Sequence, residues 1–313
     1  MDFGLHLGTR GIAATPEGLT AIAQRADALG FRYLGFSDHI VIARQVDSRY
    51  PYNESGEWPA VDTGTCLDQL GCMLFAGALT KQIRLLSSVM VLPHRPPIQA
   101  AKLIATADTL TGGRITVGVG TGWMAEELAL LGAPPFERRG KASDEYIEAF
   151  RRLWRDPAPA MDGEFVRFDG LFFEPKPAQP GGPPIWIGGE GGPARRRAGR
   201  LGDGWYPTIR NPKIPLDTAS RFAVAFSDVQ AAADAAGRDP SALDAAIFAP
   251  GYSLAEGAGD RASFTGSAEQ IADDVRDYAA AGVKHLVIGF ESADLHESLD
   301  RIERFAAEIM PVV

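Results

Sequence analysis

The sequence predicts an α/β chain closed into a (β/α)8 TIM barrel, and three observations carry that prediction. Eight short apolar runs alternate along the chain with longer segments of helical periodicity. Such alternation builds parallel βαβ units with right-handed crossovers; eight of them favour closure, with a doubly wound open sheet as the structural rival. The 313 residues form a single domain, 1–313, and exceed a minimal barrel of about 250 by roughly 60. The 35 glycines and 22 prolines fall between the periodic segments, so they read as turns and not as a disordered tail.

The elements follow in order. Phe3 to Leu7 is the first strand, ended by Gly8. Thr15-Pro16-Glu17 opens a helix with an N-cap and a proline at the first helical position, and Leu19, Ile22, Ala23, Ala26 and Leu29 give it one apolar face before Gly30 closes it. Tyr33 to Phe36 is the second strand. The polar, aromatic stretch 44–65 lacks periodicity and is an inserted loop, of a length that usually carries function. A helix over about Leu67 to Thr80 precedes a strand from Ile83 to Leu92, stopped by Pro93. Pro97 to Leu110 is helical, Ile115 to Val119 is the fourth strand, and helices follow near Ala125 to Leu131 and Lys141 to Trp154. A second insertion, 157–183, is expected with the first at the C-terminal face of the barrel, and within it Phe165 to Phe168 and Phe172-Phe173 read as a hairpin turning at Asp169-Gly170. Strands at Ile185 to Ile187, Gly204 to Tyr206, Ala245 to Phe248 and His285 to Gly289 complete eight, with helices near 216–236, 268–281 and 295–310.

Composition removes several classes. Forty acidic against 31 basic side chains leave a net charge of −9, unlike the basic face of a nucleic-acid binder. No apolar run approaches the roughly 18 residues that span a bilayer. The N-terminus has no basic region before an apolar run, and Cys66 and Cys72 read as two reduced, buried thiols on different faces of one helix. A cytoplasmic enzyme is the expectation.

In a barrel, chemistry collects where the strands end. After the second strand comes Asp38-His39, either an acid/base pair or a cap beside a packing residue. His94 and Arg95, after the third strand, read as surface loop residues. Gly120-Thr121-Gly122 after the fourth strand lets a backbone approach something flat, but it is neither a Walker loop nor a dinucleotide fingerprint. After the fifth strand, Gly189-Glu190-Gly191-Gly192 opens a helix, as an anion-binding terminus does, with Arg195, Arg196 and Arg197 expected in its first turn; an exposed basic face is the other reading. The five histidines show no two-His helical spacing, so no metal site is expected, and no G-x-S-x-G elbow is present.

Ser37-Asp38-His39, Leu86 to Pro93, Leu110 to Arg114 running into Gly118 to Trp123, Asp144 to Glu148, Pro184 to Gly189, Arg200 to Trp205 and Phe264 to Ser267 occur in an order that resembles the luciferase-like monooxygenase superfamily. Within it the chain looks most like the branch using the deazaflavin coenzyme F420. The resemblance implies an oxidoreductase that passes a hydride between F420 and a small organic substrate at the barrel mouth. The alternatives are a monooxygenase using reduced FMN and a non-catalytic flavin-binding protein. It implies a cis peptide at Ser88–Val89 against the flavin ring, Gly120, Thr121 and Gly122 beside that ring, and Gly189, Glu190, Gly191 and Gly192 around its phosphate. His39 would handle a proton, with Asp38 positioning it. The 44–65 loop, with Tyr50, Tyr52, Asn53 and Trp58, would close over the mouth as a lid. A homodimer and a separate cofactor reductase are the partners such proteins suggest.

Overall fold

In the computed structural model, which describes residues 1–58, 64–254 and 261–313, eight parallel strands close into a barrel. They are β1 (Asp2–Leu7), β2 (Tyr33–Phe36), β3 (Arg84–Val91), β4 (Ile115–Gly120), β5 (Ile185–Gly188), β6 (Gly204–Tyr206), β7 (Asp244–Ala249) and β8 (His285–Gly289). Each pairs with its neighbours in sequence, and β1 meets β8 with Asp2 opposite His285. That closing pair excludes the open sheet.

The side chains alternate as strand geometry demands. Tyr33, Leu86, Trp186, Tyr206, Ala246 and Val287 turn inward and fill the barrel, while Leu5, Leu34, Leu85, Ile115 and Ile247 belong to the cluster between strands and helices. Burying each such leucine or isoleucine is worth about 1.5–3 kcal/mol. The helices are α1 (Pro16–Ala28), α2 (Gln69–Leu79), α3 (Pro97–Leu110), α4 (Ala125–Leu130), α5 (Arg139–Arg155), α6 (Gly192–Leu201), α7 (Ala219–Ala235), α8 (Ala268–Ala280) and α9 (Leu295–Glu308). Local chemistry sets their starts. Thr15 Oγ1 accepts from Gly18 N, Asp68 Oδ1 from Gly71 N, and Ser267 with Gln270 makes a reciprocal capping box.

Three expectations need correcting. The 157–183 insertion joins α5 to β5, so it meets the barrel at the N-terminal face and not at the mouth. Gln179 there donates to Asp108 and to the Ile115 carbonyl, and Arg84 donates to Gln179. Its hairpin pairs Met161–Asp162 with Arg167–Phe168, so the turn is 163–166 and not Asp169-Gly170. Gly163 N donates to the Val166 carbonyl and Phe165 N to Glu145 Oε2, which fixes the turn there; Phe172 stands in solvent. Cys66 precedes α2 instead of lying on it, and it is half-buried. Among the described residues, no helix is long and apolar enough to cross a membrane.

Candidate active site

The C-terminal mouth is shaped first by β3. Its register with β4 shifts between Ser87 and Met90, and the Ser88–Val89 peptide is cis. The shift brings Val89 against the inward-facing cluster. A Cβ at Gly120 would lie 2.9 Å from Val89 Cγ2, one at Gly188 would lie 3.0 Å from Val89 Cγ1, and one at Gly118 would lie 2.2 Å from the Ser87 carbonyl oxygen. These glycines therefore make room for the bulge itself. Ser88 Oγ shares a 2.9 Å hydrogen bond with the Tyr206 hydroxyl across the barrel floor. Thr121 and Gly122 continue the β4 edge; Gly122 takes φ +83°, and its carbonyl accepts from Arg139 Nε.

His39 and Asp38 end β2 but serve different partners. His39, 14% exposed, places Nδ1 2.7 Å from Glu127 Oε2. Glu127 Oε1 accepts the backbone N–H groups of Ile40 and Val41 at 2.7 and 3.2 Å. Burial would raise the Glu127 carboxyl, but the hydrogen bond with His39, the charges of His94 and His39 and the Ile40 N–H hold it below its usual range. The hydrogen bonds of Asp38 do not run to His39. Its oxygens accept from Val91 N at 2.9 Å and from both terminal nitrogens of Arg95 at 2.8 and 2.9 Å. Against the penalty of complete burial, the His94 contact and the Arg95 guanidinium hold Asp38 far below the carboxylate range. Arg95 also reaches Asp68 at 2.6 Å. His94 and Arg95, expected at the surface, are thus buried; a buried carboxylate needs a partner, and Arg95 folds inward to supply it.

The described part of the 44–65 insertion and the loops after β1 and β4 converge on the same place. Trp58 packs its ring 4.5 Å from the His39 ring, Arg10 lies 4.9 Å above Trp58, and Trp123 contacts Trp58, Tyr50 and His39. Glu126 Oε1 accepts from Asp47 N and Ser48 N, while Ser48 Oγ accepts from Ala125 N. Asn53 turns away into the loop, accepting from Gly56 N and donating to the Glu57 carbonyl. Residues 59–63 of the expected lid lie outside the described residues.

Electrostatics show how deep the mouth is. Tyr52 keeps 38% of its surface accessible, yet burial and the nearby Glu190 charge push its phenol far above its usual value. Exposed Glu291 behaves alike: burial raises its carboxyl despite the Gly8 N–H that it accepts and the charge of Arg10. His6, beside Phe248 with ring centroids 4.6 Å apart, is pushed down to about 4 by burial, which outweighs its hydrogen bond with the Ser88 backbone.

The loop after β5 differs from expectation in two respects. Glu190 is buried and turned inward, accepting from Thr208 N at 3.0 Å and Asn211 Nδ2 at 2.7 Å, with burial raising its carboxyl. It ties the β5 and β6 loops together instead of facing an anion. Gly191 is the N-cap of α6, so the three arginines sit one turn further on. Arg195 pairs with Asp228 and Arg197 with Asp144, leaving Arg196 exposed without a carboxylate partner among the described residues. A Cβ at Gly191 would meet Pro193 Cδ at 3.7 Å, one at Gly192 would meet Arg196 Nη1 at 3.2 Å, and one at Gly189 would meet Ala194 Cβ at 3.1 Å. Gly189, at φ +99°, passes its carbonyl to Trp205 Nε1.

Sequence reasoning missed Glu127, His94 and Arg95 as members of this cluster. The signal available was position: Glu127 lies in the first turn of α4, directly after a strand's C-terminal end, where barrel sites are built. Among the described residues, no group of three His, Cys, Asp or Glu side chains is placed to hold a metal ion.

Comparison with known proteins matches residues 1–256 to the luciferase-like monooxygenase family. An uncharacterised protein of Mycobacterium tuberculosis is 31% identical over 312 residues, 99% of each chain. An FMNH2-dependent dimethylsulfone monooxygenase of Pseudomonas fluorescens is 29% identical over 281 residues, 75% of each chain. The coenzyme F420-dependent tetrahydromethanopterin reductase of Methanopyrus kandleri has the same fold, with a TM-score of 0.76 at 18% identity, covering 99% of this chain and 98% of that one.

Proposed function

The chain belongs to the luciferase-like monooxygenase family, and from that premise we propose that it is an oxidoreductase that passes a hydride between coenzyme F420 and a small organic substrate held at the barrel mouth. The observation that carries this reading is the His39–Glu127 pair, packed under Trp58 at the end of β2. Hydride transfer at a carbon bearing oxygen needs a proton moved at that oxygen, and an imidazole fixed through one nitrogen has the other to offer.

The residues present fit the cofactor. The N-terminus of α6, with Gly191 as its N-cap and Arg196 beside it lacking a carboxylate partner among the described residues, suits a phosphate through backbone N–H groups. The Ser88–Val89 bulge supplies a platform for a flat ring. When bound, F420 supplies or accepts the hydride. The chain's own contribution is orientation and proton handling. Trp58 and Trp123 exclude water from His39, Glu127 holds its Nδ1, and the remaining nitrogen is free to give or take a proton. Tyr50, Tyr52 and Trp58 then bear on substrate choice.

A second reading, a monooxygenase using reduced FMN, is favoured by the Pseudomonas relative, an FMNH2-dependent monooxygenase. Absorbance titration of the pure protein separates the two. F420 should bind at least about tenfold more tightly than FMN, a difference of about 1.4 kcal/mol. Binding of FMN with no response to F420 would transfer the assignment to the second reading. His39→Ala should keep cofactor affinity and lose about 10²–10⁴ in kcat; unchanged turnover would remove His39 from the mechanism.

A further inference from the structure

We infer that His94 is a positioning residue for the His39–Glu127 pair, an inference that rests on the proton-handling role proposed for His39. His94 ends the short helical turn Leu92–His94 after β3, and its side chain is 2% exposed. Both ring nitrogens face carboxylates. Nε2 is 3.6 Å from Glu127 Oε2, and Nδ1 is 3.7 Å from Asp38 Oδ2. That Glu127 oxygen is the one His39 Nδ1 contacts, so one carboxylate oxygen lies between two imidazoles.

Charge explains why the second imidazole matters. The buried cluster holds two carboxylates, Asp38 and Glu127, and one permanent cation, Arg95. The Arg95 fork is occupied by Asp38 and by the half-exposed Asp68. Among the described residues, Glu127 has His39 and His94 as its ion-pair partners, and a buried carboxylate without a partner is costly. A proton released from His39 Nε2 to a substrate leaves the Nδ1 proton on His39, still donated to Glu127. Through that release His94 stays beside Glu127 Oε2, so the carboxylate keeps an N–H pointed at it and keeps the His39 ring aligned. Asp38, latched to Val91 N and Arg95, faces the far side of the His94 ring at 3.7 Å, outside hydrogen-bond distance.

Three substitutions test this. Glutamine places an amide N–H where His94 has Nε2, asparagine places one where it has Nδ1, and phenylalanine keeps the volume without a donor. The readout in cofactor-free protein is the downfield NMR resonance of the His39 Nδ1 proton, assigned by its loss in His39→Ala, with thermal melts to check folding. His94→Gln should keep that resonance and a kcat close to wild type. His94→Asn and His94→Phe should shift or broaden it and lower kcat by up to about 10²-fold, with KM and cofactor affinity unchanged. If His94→Phe does not fold, the glutamine and asparagine variants decide. An unmoved resonance in the phenylalanine variant, or asparagine rescuing as well as glutamine, overturns the inference. A resonance that responds as expected while wild type turns over no substrate with either cofactor upholds the positioning role and sinks the functional reading instead.

Discussion

Glu127 gives one oxygen to the backbone of Ile40 and Val41 and the other to His39, so a single side chain fixes both the ring and the loop that carries it. Glu127→Ala strips the acceptor from two backbone N–H groups and one imidazole in a buried place. Each orphaned donor costs about 1–3 kcal/mol, so a clear loss of stability in denaturant titration accompanies the loss of activity. Glu127→Gln retains a carbonyl acceptor but sets an amide N–H against one of these donors; stability should fall less, while kcat falls as in the alanine variant. Equal activity in Glu127→Gln and wild type would mean that the carboxylate charge is irrelevant to His39. None of this was legible from the sequence. Asp38 and His39 advertise themselves by adjacency, whereas Glu127 lies 88 positions from His39 and looks like an ordinary acid in the first turn of a helix. His94 and Arg95 misread for the same reason: side-chain chemistry gave them a polar prior, and only the placement of Asp38 beside them reverses it.

At the level of elements, α4 joins the two halves of the site. Its adjacent acids face different tasks, Glu126 holding the 44–58 segment through Asp47 N and Ser48 N, and Glu127 holding His39. Glu126→Ala removes the two hydrogen bonds from Asp47 N and Ser48 N, leaving Ser48 Oγ on Ala125 N, and does not touch the His39 contact. Trypsin should then cut after Arg44 and Arg49 several times faster than in wild type, and added cofactor should slow that cleavage. Equal cleavage rates in both proteins would show that Glu126 does not restrain the loop. The eight strands and the major helices were readable because each buries one face, which writes period 2 or 3.6 into the sequence. The hairpin at 161–168 was misplaced because its paired strands are only two residues each, with Met161, Val166 and Phe168 buried against the core, and its turn is fixed by Glu145, distant in sequence. The second insertion was assigned to the wrong end of the barrel because length alone marks an insertion; whether it follows a strand or a helix decides its face.

For the molecule as a whole, acid stability tests the burial of the mouth. His6 has its imidazole lowered from 6.5 to about 4, chiefly by burial. Below pH 6.5 the unfolded chain binds a proton there that the native state refuses until about pH 4. The unfolded state therefore holds more protons across this window, so stability rises with pH through it and is complete above it. The full effect of such a shift is at most about 3 kcal/mol, and water in the mouth trims it. Asp38 and Glu127 act lower: their depressed carboxyls contribute stability that is present above the usual carboxylate range and lost as pH falls beneath it. The acid loss should thus come in two stages, one between pH 6.5 and 4 and one below 4. His6→Gln should abolish the first and leave the second, read as melting temperature against pH. A first stage that persists in His6→Gln would place the titrating group elsewhere and show that the His6 ring is solvated in the native barrel.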